Sequence, residues 1–144
     1  MAKQLIPTKV YKDMTNLLYS KGLIKEIPQL KWTKDHTCYG FLCYHECKNK
    51  VTNWIEYKII GIYLNKALCP TTLKSFTQAP NWSYKHFREL IDTVAHELAH
   101  MTYHDHSSKH AELTKKYMHL FYKEYGIMNT LNDTLEYLKD CKAE

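Results

Sequence analysis

The sequence lacks any long hydrophobic run. Its longest, Ile59 to Leu64, covers six residues and contains Gly61, far short of the ~20 apolar residues that cross a bilayer. No membrane partner is expected. The N-terminal stretch MAKQLIPTKVYKDMTNLLYSKG scatters charges where a secretory signal needs a continuous apolar segment, so an intracellular protein, cytoplasmic or nuclear, is expected. Paired Cys-x2-Cys knuckles, internal repeats, low-complexity tracts and interdomain linkers are also missing. The five cysteines (Cys38, Cys43, Cys47, Cys69, Cys141) are an odd number, which suits reduced thiols better than a disulfide framework. His36, Cys38, Cys43, His45 and Cys47 are metal-capable neighbours, but without knuckle spacing they read as strand residues with buried thiols.

What is present describes one globular domain over residues 1–144. Hydrophobic residues make up 44% and charged residues 24% of 144 positions, and a chain this long buries ~68–70% of its unfolded surface. A monomer is expected. The net charge of +5 favours polyanions without specifying one.

Pro7 and Thr8 precede a helical spacing of Val10, Met14, Leu17 and Leu18 that stops at Gly22. From Leu30 to Leu64 aromatic and β-branched residues gather in short runs, Tyr39–Tyr44, Trp54–Tyr57 and Ile59–Leu64, parted by Lys48-Asn49-Lys50, which predicts a small antiparallel sheet. Cys69–Thr72 and Gln78–Asn81 bracket a loop or short element, after which Ser83 can cap a helix. That helix, Tyr84 to about Tyr103, contains no Pro or Gly and carries the stripe Phe87, Leu90, Ile91, Val94, Ala95 and Leu98. A further helix runs from Ser107 to Tyr125 with His110, Leu113, Tyr117, Leu120, Phe121 and Glu124 on one face, and a shorter one carries Leu131, Leu135 and Leu138. The fold class is α+β.

Nine histidines are unusual for this length, and five of them (His96, His100, His104, His106, His110) fall within fifteen residues. His96-Glu97-Leu98-Ala99-His100 is an H-E-x-x-H motif inside the best-defined helix. Four residues advance a helix by ~400°, so the two imidazoles lie ~40° apart and can share a metal, with Glu97 ~60° from His100. Neutral imidazoles suit Zn²⁺, and a carboxylate that does not ligate can take a proton from water. His106 follows six residues later, where Asp105 and Ser107 favour a turn. Three histidines with an open position describe a catalytic zinc, whereas a structural zinc is closed by four protein ligands. His106 is the expected third ligand. His104 on the continued helix face, His110 on the next apolar stripe and Glu124 as a carboxylate ligand stay open as alternatives. Tyr103 is a candidate hydrogen-bond donor to an oxyanion or a packing residue, and Asp92, one turn before His96, either orients a ligand or is a surface carboxylate.

The segment from Phe87 to Met101, FRELIDTVAHELAHM, resembles the metal-binding helix of the SprT-like metalloproteases, the family that includes Spartan. His106-Ser107-Ser108-Lys109-His110 is similar to that family's third-ligand motif, H-G-x-x-F, and the six-residue step from His100 to His106 is similar to the related WLM proteases. Gly61 to Leu68 resembles the family's strand before the metal helix, so the resemblance covers roughly Cys38 to Met118. Ser107 stands for the usual Gly and His110 for Phe, and the four-cysteine ribbon of many bacterial members is missing, with only Cys141 downstream. The resemblance implies a zincin-like core and a zinc-dependent endopeptidase with His96, His100 and His106 as ligands and Glu97 as general base. It further implies a protein substrate crosslinked to DNA, with single-stranded DNA as scaffold or activator. Trp32, Trp54 and Trp82 are candidates to stack on its bases. Two other readings compete: a non-enzymatic, zinc-stabilised nucleic-acid-binding module, and a metal hydrolase of a non-protein substrate.

Overall fold

The computed structural model describes residues 4–33, 40–48, 50–52, 55–65, 70–127 and 130–143, with backbone alone at 40, 41, 43–47, 55–58 and 60. Helix α1 (Ile6–Ser20) has Pro7 in its first turn, where a missing N–H costs nothing. It buries Val10, Met14, Leu17 and Leu18, the helical stripe read from the sequence, and Ile6 with them. Gly22, at φ +71°, takes the left-handed turn that ends it.

Strands β1 (Leu30–Thr33), β2 (Gly40–Lys48) and β3 (Ile55–Asn65) form a sheet in the order β1-β3-β2. β2 and β3 pair antiparallel, with an irregularity at Cys43/Tyr44, but β1 lies parallel to β3. The expected antiparallel sheet is therefore corrected to a mixed one. Side-chain alternation has the same period in both kinds of pairing, so direction leaves no mark in the hydrophobic pattern. The run Ile59–Leu64 and the described part of the run before it, residues 55–57, fall on one long strand. At its centre Gly61 is buried, and the adjacent Ile62 N–H donates to the Gln29 carbonyl at 2.9 Å.

The expected short element is α2 (Leu73–Gln78), opened by a Thr72/Ser75 capping box. Helix α3 (Pro80–Ala99) starts earlier than expected, at Pro80. Ser83 is no cap: it is buried inside the helix, and its hydroxyl donates to the Ser75 carbonyl at 3.1 Å. The apolar stripe of α3 packs on α1, α4 and the sheet, with Phe76, Phe87, Tyr117, Phe121 and Leu138 among the buried side chains of one hydrophobic cluster. Each large side chain so buried stabilises by roughly 1.5–3 kcal/mol. Helix α4 (Ser108–Tyr125), within one residue of the expected span, is capped by Ser107 and closed by Gly126 at φ +68°, and α5 (Leu131–Leu138) follows with Thr130 as cap. Glu124, placed on the inward stripe of α4 by its spacing, is exposed. Among the described residues no helix is long and apolar enough to cross a membrane.

Candidate metal centre

The last turn of α3 delivers His96 and Glu97. His100 follows as its C-cap at φ −65°, ψ −18°, so the helical spacing survives the helix end. The Nε2 atoms of His96 and His100 lie 3.1 Å apart. Beyond His100 the chain turns tightly, with the N–H groups of Met101, Thr102 and Tyr103 donating to Leu98 and Ala99 carbonyls. The turn aims the Tyr103 carbonyl at His100 Nδ1, 2.9 Å away. An imidazole that donates from Nδ1 keeps its Nε2 lone pair for a metal.

The same turn brings His106 back, its Nε2 3.2 Å from that of His100. A tetrahedral zinc with bonds of 2.0–2.1 Å holds its nitrogens about 3.3 Å apart, close to both separations. His110, in the first turn of α4, is buried. Its ring stacks on His100 at 3.9 Å and 15° and meets His96 edge-on at 4.4 Å. One potential ligand atom from each of His96, His100 and His110 lies within 4.8 Å of the others, so these three can also hold a metal ion. The two sets differ in what the third ring has to offer. His110 Nε2 sits 3.0 Å from the His96 carbonyl; as the donor there it has no lone pair left on that nitrogen, leaving only Nδ1. His106 presents Nε2 directly. His104 is exposed in the turn.

Glu97 is buried between α3 and β2, and its Oε2 accepts the Leu42 N–H at 2.8 Å. Burial pushes its carboxyl up to about 7, against the opposing pull of the Leu42 hydrogen bond. Burial, followed by the neighbouring imidazoles, lowers His96 to about 4 and so keeps it neutral. A cavity of about 620 Å³ opens beside the histidines between α3 and α4, lined in part by His96, His106, His110, Asp92 and Arg88. Asp92 has its carboxyl raised by burial and then by Glu89.

Of the residues singled out from the sequence, His96, Glu97, His100, His106 and His110 come together here. Glu124 lies fourteen residues beyond His110 on α4, ~21 Å along the axis, too far to join them. Tyr103 contributes its backbone carbonyl. His36, Cys38, Trp54 and Cys69 lie outside the described residues, as do the side chains of Cys43, His45 and Cys47. Trp32 and Trp82 are exposed, and the Trp82 ring packs against His86 at 4.3 Å. The sequence did not disclose the Leu42 N–H or the Tyr103 carbonyl, since backbone groups carry no residue signature. His110 was signalled by its place in the histidine cluster and on the apolar stripe of the next helix.

No family model, curated protein or solved structure matches the chain.

Proposed function

We propose that the protein is a zinc-dependent endopeptidase of SprT-like type with a zincin-like core, in which His96, His100 and His106 hold the metal and Glu97 is the general base. The observation that carries the proposal is the convergence of three Nε2 atoms, 3.1 and 3.2 Å apart, next to a buried carboxylate that is not one of them. A bound zinc supplies Lewis acidity toward a carbonyl oxygen and makes water a nucleophile at neutral pH. Glu97 takes the proton of the attacking water and hands it to the leaving amine. The Leu42 N–H fixes one carboxylate oxygen at 2.8 Å and leaves the other for that proton. A carboxyl with a pKa near 7 suits both halves of the transfer. Tyr103 and His110 hold the rings of His100 and His96 in place through the contacts described above. A purely structural zinc has no need for Glu97, which favours the enzyme over a zinc-stabilised binding module. The resemblance to SprT-like proteases extends the proposal to substrates bound or crosslinked to DNA, and the +5 charge supports it.

The test is casein hydrolysis by the purified protein, with and without single-stranded DNA. Activity that chelation abolishes and zinc restores is the expected result. Zinc-loaded protein that cleaves neither casein nor itself under either condition would contradict the assignment.

A further inference from the structure

The groove beside the histidines continues along α3 and α4 into a second cavity of about 690 Å³, which shares Arg88, Lys115, Met118 and Tyr122 with the first. Lys115, His119 and Lys123 follow one another at four-residue steps on α4, so they line one helix face, and Arg88 approaches from α3. No carboxylate lines this second cavity. Among the described residues the ion pairs are Lys9–Asp13, His86–Glu89 and Lys139–Glu136, and none involves Arg88, Lys115 or Lys123. Three cations thus surround a concave site with an apolar floor of Met118 and Ile127, and the nearest carboxylates lie outside its lining.

We propose that this cavity is a subsite for an acidic side chain, Asp or Glu, of the polypeptide substrate. The inference rests on the endopeptidase reading, and it adds a substrate class: chains with carboxylates on one side of the bond to be cut. Lys115 and Lys123 lie five and thirteen residues beyond His110 on α4, ~7 and ~20 Å along its axis. An extended peptide covers ~3.3 Å per residue, so the acidic position falls about two to six residues from the scissile bond. Charge favours a polypeptide over a nucleic acid. Glu89 and Asp92 line the groove nearer the histidines, while Glu112 and Glu124 are exposed on α4 around the basic residues. A strand with a phosphate at every unit would meet these carboxylates on either side of the cavity, whereas a peptide can place one or two charges within it.

The experiment titrates zinc-loaded Glu97→Gln protein, by fluorescence anisotropy, with two labelled peptides of equal length. Glu in one is replaced by Gln in the other. A labelled oligonucleotide and cleavage of both peptides by the wild-type chain are run in parallel. Two exposed charge pairs predict an affinity about tenfold higher for the Glu peptide. That preference should vanish in the Arg88→Gln/Lys115→Gln/Lys123→Gln variant, whose exposed positions let its thermal midpoint confirm an intact fold. Equal affinities would overturn the subsite, and oligonucleotide binding lost in the triple variant alongside them would give the cavity to nucleic acid. Cleavage without preference removes the subsite and leaves the endopeptidase standing. Preference without cleavage does the reverse.

Discussion

Glu97 sits where an ionised carboxylate is poorly solvated, and this bears on stability as well as on the proposed chemistry. Its ordinary pKa of 4.5 is raised to about 7 by burial, so the folded metal-free protein holds a proton that the unfolded chain has already released. Stability attached to this group is complete below pH 4.5 and is lost as pH rises through 7, amounting to about 3 kcal/mol. Glu97→Gln, which keeps an acceptor for the Leu42 N–H, should therefore stabilise the metal-free protein at pH 8 and be neutral at pH 4, as urea unfolding at the two pH values would measure. The same variant should retain zinc while hydrolysis falls ~10²–10⁴-fold; near wild-type turnover would remove Glu97 as the base. His96, with its pKa lowered to about 4, has the opposite sign, its stability being lost as pH falls below the ordinary 6.5 toward 4. At the third ligand, His106→Ala should cost the most zinc affinity. His110→Gln, which keeps a donor for the His96 carbonyl, should bind zinc nearly as well as the wild type in a competitive chelator titration. The H-E-x-x-H pair was legible because helical spacing is local. The choice between His106 and His110 further turns on which nitrogen the His96 carbonyl occupies, which residue spacing does not record.

The α3 stripe translates directly from sequence to packing, every residue of it from Phe87 to Leu98 being buried, whereas the α4 stripe loses its last member, Glu124, to the surface. The sheet did not translate as well. Its mixed direction depends on β3 returning between β1 and β2, a long-range choice that strand alternation does not record. Helix starts were misplaced where Pro80 offered a second way to begin the helix and Ser83 found a partner in the Ser75 carbonyl. Gly61 marks a close approach between β3 and the residue before β1, since a Cβ there would lie 2.7 Å from the Gln29 carbonyl oxygen. Gly61→Ala must push apart the backbone leading into β1, at a cost of ~1–3 kcal/mol. Thermal or urea unfolding would register that loss. An unchanged midpoint would show that the contact yields without penalty.

In the whole molecule, the core and the histidine cluster are separate constructions that share α3. The hydrophobic cluster draws on α1, the sheet and the later helices, whereas the histidines gather where α3 gives way to α4. Chelation should therefore leave a folded protein, and zinc at a hundred times its dissociation constant should add ~2.7 kcal/mol, raising the melting temperature by roughly 10 °C. The global charge of +5 conceals a local arrangement that composition did not reveal, with cations around the far cavity and the carboxylates of Glu89 and Asp92 nearer the histidines. An open three-imidazole zinc centre, as proposed, is read out by zinc K-edge absorption of the metal-loaded wild-type protein. The expected shell is three imidazole nitrogens at ~2.0–2.1 Å and one oxygen. Four imidazoles with no oxygen, or any sulfur in the shell, would contradict it.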